Sequence, residues 1–158
     1  MCDAIQPLTT SFFELSRFKF TVAIPSPALI SQFEKHVRVE HIFSGLRALG
    51  FNDVVNLAPF CTAYMKATKI LIEDKTLPLP IISSLCPVVI SLIQRRYPSL
   101  IPHLLPIPSP RQLSAKLVVE SFLKEEGLKR EEIGVVYITP CISKMIEISS
   151  NGEGGYLD

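Results

Sequence analysis

Four short apolar runs punctuate the chain: Phe18 to Ile24, Asp53 to Leu57, Leu79 to Ser83 and Gly134 to Ile138. Each is bounded by Pro, Gly or Asn, the signature of buried strands. Their apolar positions are continuous rather than alternating, which suits a parallel sheet covered on both faces. Helical periods lie between them. Glu40 to Leu49 places Ile42, Leu46 and Leu49 on one face, with Gly50 where a left-handed cap belongs. Thr62 to Ile72 repeats Tyr64, Ala67, Thr68 and Leu71 at helical spacing. Val88 to Tyr97 turns Val88, Val89, Leu92 and Ile93 inward and ends on Arg95 and Arg96, which suits the helix dipole. Pro110 to Glu126 is the longest helix, with Ser109 as N-cap, Pro110 at the first position and Gly127 beyond its end. Met1 to Arg17 adds a leading helix. The alternation predicts an α/β domain of three layers: a four-stranded parallel sheet, doubly wound, with right-handed crossovers and helices on both faces. Residues 1–148 form this lobe. The Gly-rich tail 149–158 closes no element, so the chain reads as a piece of something longer.

Composition narrows the function classes. At 158 residues, 47% hydrophobic and 20% charged, the chain suits one domain with a real core. A net charge of +1, with no basic block, gives no field for nucleic acid or an anionic membrane. Mean hydropathy is high at +0.32, yet no apolar run is long enough to span a bilayer. The start, Met1-Cys2-Asp3-Ala4, lacks a signal-peptide pattern. Four scattered cysteines in a chain with this much core argue against a disulfide framework and for a reducing cytoplasm. No CxxC pair, HExxH, GxGxxG, P-loop or GxSxG is present.

Candidate chemistry rests on two cysteines in matching places. Cys86 follows Pro80-Ile81-Ile82-Ser83-Ser84-Leu85 and precedes Pro87; Cys141 follows Val135-Val136-Tyr137-Ile138-Thr139-Pro140. Each stands where an apolar run ends beside a proline. That places thiols at the carboxyl edge of a parallel sheet, where open α/β folds bind ligands. Two thiolates are half of a four-thiolate iron–sulfur site. Taken alone, each cysteine also reads as a small buried residue. Cys61 and Cys2 carry no motif and read as a helix-packing and a terminal residue. His36, His41 and His103 read as surface or half-buried residues, and the charged runs at 124–126 and 129–132 as solvated faces.

The segments Ser83-Ser84-Leu85-Cys86-Pro87 and Thr139-Pro140-Cys141-Ile142-Ser143-Lys144 resemble the H-cluster domain of the iron-only (iron-iron) hydrogenase large subunit. That family has Thr-Ser-Cys-Cys-Pro and Met-Pro-Cys-x-x-Lys at the ends of parallel strands. The likeness runs from about Val22 to Glu147 and includes Leu46-Arg47-Ala48-Leu49-Gly50-Phe51, Tyr97 to Leu104, and Ser109-Pro110. It implies that Cys86 and Cys141 ligate the 4Fe-4S part of the H-cluster, and that Lys144 donates to a cyanide of the diiron subcluster. Pro25 and Ser26 fall where the family approaches the other cyanide, and Ser109 also falls on a family position. The remaining two cluster cysteines belong to a second lobe, which becomes the expected partner. Ferredoxin or PAS modules are further partners the resemblance allows, and an isolated lobe could pair with a second copy through its open cleft.

The departures point away from fast catalysis. The family's proton-carrying cysteine is Leu85 here. Two relay glutamates fall at Lys66 and Lys69, and a relay serine at Leu105. Each step of a proton path needs a titratable or hydroxyl group within reach. The motifs resemble the sensory, regulatory branch of the family, with Ile-Ser-Ser-x-Cys-Pro and Ile-Thr-Pro-Cys-x-x-Lys. The leading expectation is the N-terminal lobe of a slow sensory hydrogenase, inactive by itself and without cofactor when isolated. The alternatives are a 4Fe-4S scaffold or assembly-factor-like module without diiron chemistry, and a cluster-free interaction domain.

Overall fold

A computed structural model of the chain describes residues 12–151. Its sheet has three parallel strands: β1 (Phe20–Pro25), β2 (Asp53–Val54) and β3 (Ile133–Ile138), in the order β2-β1-β3. β1 is central. It pairs with β3 along its whole length, from Phe20 opposite Ile133 to Pro25 opposite Ile138, and with β2 at Val22 and Ala23. The expected four-stranded sheet is therefore corrected to three. Leu79–Ser83 supplies only one isolated bridge, Ile82 to Leu104, outside the sheet. Pro78 and Pro80 have no N–H to offer a ladder, and Leu79 is exposed. His103 Nδ1 lies 3.1 and 3.0 Å from the Pro78 and Pro80 carbonyl oxygens and ties the segment to the loop it does pair with.

β2 is also shorter than the apolar run suggests. Asn56 Oδ1 accepts the Ala58 N–H at 3.0 Å, and Leu57 already has helical dihedrals. The helix that follows therefore starts at Ala58, four residues before the expected Thr62. Asn52 completes this edge from its side chain: its Oδ1 accepts the Thr21 N–H at 2.8 Å and the Thr21 hydroxyl at 2.9 Å.

The helices are α1 (Phe12–Leu15), α2 (Pro27–Ile30), α3 (Val39–Ala48), α4 (Ala58–Glu73), α5 (Pro87–Arg96), α6 (Pro110–Glu125) and α7 (Ile142–Asn151). The expected leading helix from Met1 lies outside the described residues up to Ser11. Strand side chains alternate across the sheet. Ile24, Ile133, Val135 and Tyr137 pack with Leu57, Ala115 and Val119 beneath α4 and α6. Ala23 and Val54 pack with Leu46 and Phe51 of the α3 side. Helices thus cover both faces, and the three layers stand. Gly50 and Gly127 have φ of +111° and +62°, so both caps fall where the sequence places them. Two inward faces do not hold: Leu49 is exposed, and on α5 only Ile93 is buried while Val88 and Leu92 are 57% and 50% exposed.

Close approach makes one glycine necessary. Gly134 sits in β3 opposite Thr21 of β1, and a Cβ there would overlap the Phe18 ring. No helix among the described residues is long and apolar enough to cross a membrane.

Candidate functional site

The carboxyl ends of β1 and β3 emerge side by side. The Ser26 N–H donates to the Ile138 carbonyl at 2.9 Å, which joins the Pro25-Ser26 turn to the start of Thr139-Pro140-Cys141. Ser26 is buried, and its Oγ caps α2 by accepting the Leu29 N–H at 3.1 Å. The Cys141 N–H donates to Thr139 Oγ1 at 3.2 Å. The Cys141 carbonyl then accepts the Lys144 N–H at 3.1 Å and the Met145 N–H at 3.3 Å, opening α7.

Cys86 is placed by the same device. It is the N-cap of α5, with extended dihedrals, Pro87 at the first helical position, and its carbonyl accepting the Ile90 N–H at 3.1 Å. Both cysteines therefore stand at helix starts. α5 and α7 pack against each other, so the two thiol-bearing segments belong to one region. Cys86 is exposed and Cys141 half-buried. The Cys141 thiol is held below its ordinary range, first by the Ser143 hydroxyl 3.1 Å from its Sγ and then by the Lys144 N–H, while burial works against them.

Beside these turns lies a cleft of about 930 Å³. Of the residues singled out in the sequence, Leu85, Leu105, Ser109 and Lys144 line it. Cys86 follows Leu85 directly, and Lys144 is three residues beyond Cys141. Ser109 is held as a helix cap: its Oγ accepts the Gln112 N–H at 3.3 Å, and Gln112 Oε1 accepts the Ser109 N–H at 2.8 Å. Lys66 and Lys69 are not brought to the cleft. Both are exposed on α4, and Lys69 pairs with Glu73 at 3.7 Å. Leu85 is exposed and Leu105 buried, so the two relay positions nearest the cysteines present hydrocarbon to the cleft.

Cys61, read from the sequence as a helix-packing residue, also reaches the wall, and two wall residues escaped the sequence reading: buried Arg111 and half-buried Glu147. Arg111 Nη2 donates to Glu147 Oε2 at 2.8 Å. The Arg111 guanidinium carbon lies 5.5 Å from the Tyr137 ring centroid. Burial pushes the Tyr137 phenol up, against the opposing pull of Arg111 and a hydrogen bond with Ser26. The available signal was a cation in the first turn of a helix, the end that disfavours it. Its partner, 36 positions away, has no local signature.

Among the described residues, no three His, Cys, Asp or Glu side chains are grouped to hold a metal ion. Cys86 and Cys141 offer half of a thiolate site, and the chemistry open to them begins with thiolate supply. Replacing Ser143 with alanine removes the leading cause of the Cys141 shift. Half-maximal alkylation of Cys141 in metal-free protein is expected to move to higher pH, toward the ordinary thiol range near ~8.5. Mass-spectrometric alkylation profiles check this.

The cytosolic Fe-S cluster assembly factor narfl of Xenopus tropicalis is 30% identical over 121 residues, 76% of this chain and 24% of that protein. The cytosolic Fe-S cluster assembly factor NAR1 homolog of Schizosaccharomyces japonicus is 38% identical over 74 residues, 47% of this chain and 14% of that protein. The human nuclear prelamin A recognition factor is 27% identical over 145 residues, 91% and 30%. The chain spans less than a third of the length of these three relatives. Among solved structures, a variant of the FeFe-hydrogenase HydA1 of Chlamydomonas reinhardtii matches with TM-score 0.65 and 24% identity, over 86% of this chain and 36% of that one. An FeFe-hydrogenase whose oxygen inactivation is described as initiated by modification and degradation of the H cluster 2Fe subcluster matches with TM-score 0.65 and 23% identity, over 86% and 37%. Residues 19–156 match the family described as iron only hydrogenase large subunit, C-terminal domain, and the chain belongs to that family.

Proposed function

We propose that the chain is the first lobe of a hydrogenase-like iron–sulfur protein. In this reading Cys86 and Cys141 hold one side of a 4Fe-4S cluster, and the protein serves as a cluster scaffold or assembly factor without diiron chemistry. The observation that carries the reading is the pairing of two helix-initiating cysteines with hydrocarbon at the adjoining Leu85 and Leu105. The names of the frog and yeast relatives support the assembly role, which puts it ahead of the sensory hydrogenase that the motifs suggest. They also favour a cytosolic location.

The donor set fits half of the group. Two thiols at helix starts, one with a depressed pKa, supply two of four thiolates. A bound 4Fe-4S cluster supplies one-electron chemistry. This chain supplies ligands, a cleft wall and the Lys144 ammonium. The remaining ligands come from a second lobe elsewhere in the protein. Exposed Leu85, Val88, Leu92 and Ile142, near the two cysteines in sequence, support its docking there.

Lys144 favours a second reading. A cation lining the cleft one turn after Cys141 suits a diiron ligand as well as it suits cluster charge. Infrared spectra of the full-length protein, produced with hydrogenase maturation, separate the two. The scaffold reading expects 4Fe-4S absorption and no bands from iron-bound CO or cyanide; such bands establish the sensory hydrogenase. Protein that takes up no iron on anaerobic reconstitution would overturn both in favour of an interaction domain.

A further inference from the structure

The turn that carries Cys141 is gripped from both sides by one side chain. β3 delivers Tyr137 four residues before Cys141, and α7 delivers Glu147 six residues after it. Arg111 of α6 reaches both: its guanidinium carbon is 5.5 Å from the Tyr137 ring centroid, and Nη2 is 2.8 Å from Glu147 Oε2. The Arg111 and Glu147 side chains are only 7% and 17% exposed. Two elements that frame the cleft, β3 and α7, thus converge on a guanidinium supplied by a third, α6.

This arrangement is hard to read as stability alone. A buried ion pair pays desolvation on both charges and is often matched by apolar residues of the same size. Arg111 also stands in the first turn of α6, where the helix dipole opposes a cation. Arginine's flat fork can stack on a ring and donate to a carboxylate at once, which lysine cannot reproduce. We infer that Arg111 is a positioning residue, a staple across the β3–α7 turn that sets where Cys141 and Lys144 stand relative to the cleft. The staple is a geometric claim about the metal-free protein; its consequence for cluster binding rests on the proposed ligation by Cys141.

The test compares Arg111→Met, the double variant R111M/E147M and Arg111→Lys in the full-length protein. Hydrogen exchange is followed by mass spectrometry without metal. Peptides covering 139–147 are expected to exchange at least about tenfold faster in R111M and in the double variant, with strand 20–25 unchanged. Arg111→Lys, which keeps a charge for Glu147 but loses the fork, is expected to fall between them and wild type. The double variant is decisive because it buries no orphan charge. A purely structural pair predicts wild-type protection at 139–147 once both charges are gone, and that result would overturn the staple. So would exchange raised evenly along the chain, or loss of cooperative folding in all three variants. After anaerobic iron reconstitution, R111M and the double variant are expected to retain less than about half the wild-type iron. Equal iron and an unchanged cluster spectrum would overturn the link to the cluster. Wild type that binds no iron removes the ligation reading instead, and leaves exchange to decide the staple.

Discussion

Alanine at Cys141 is expected to strip the anaerobically reconstituted full-length protein of its cluster. Removal of a residue that only orients a metal ligand already lowers affinity about 10–100-fold, and loss of a ligand sets that as a floor. Cys86→Ala is expected to behave alike, because each cysteine opens a helix beside the same cleft. Cys61→Ala is the control. Cys61 lines the cleft too, but it sits on α4 and packs against the core beneath α6. Its alanine variant is expected to keep iron, sulfide and the visible charge-transfer band at wild-type levels. Iron and sulfide analysis with electron paramagnetic resonance of the reduced protein reads all three. Full retention in Cys141→Ala would remove the ligation reading.

The second large effect is on stability. Valine at Gly134 has to place its Cβ where the Phe18 ring lies. Neither side yields easily. Gly134 is locked in β3 opposite Thr21, and the Arg17 guanidinium lies 4.6 Å from the centroid of the Phe18 ring. Overpacking of this kind costs about 1–3 kcal/mol, and a domain of this size loses roughly 2–4 °C of melting temperature per kcal/mol. A fall of about 2–12 °C is expected for Gly134→Val. Phe18→Ala in the same chain is expected to return part of it, because the clash is between these two residues. No recovery in the double variant would place the cost elsewhere.

Much of the frame was legible because burial and turn chemistry are local. Residues 20–24 and 134–138 are apolar on both faces, and both lie within strands packed between helices. Ser109, Gly50 and Gly127 announce helix ends through their own chemistry. The run Leu79–Ser83 misleads because hydrophobicity reports a wish for burial, whereas a strand needs a partner ladder, and Pro78 and Pro80 supply no donors to one. Val88 and Leu92 mislead in the opposite way. Their spacing marks an apolar face correctly, but no element among the described residues buries it. Cys86, Cys141 and Lys144 could be singled out in the sequence because their neighbours form motifs. Arg111, Tyr137 and Glu147 could not, since their relation exists only after β3 and α6 have met.

The central place of β1 has a temporal consequence. β1 is made well before its fully paired neighbour, β3, which begins more than a hundred residues later in the chain. Contacts of such sequence separation form slowly, and apolar segments that wait for them invite misassociation. Val22, Ala23 and Ile24, all fully buried in the finished sheet, remain half-housed until Ile133 to Ile138 has been made. The Cys141 turn hangs from β3. The edge that carries Cys141 therefore takes shape only once β3 has paired with β1, and in the proposed reading iron loading follows that pairing rather than guiding it.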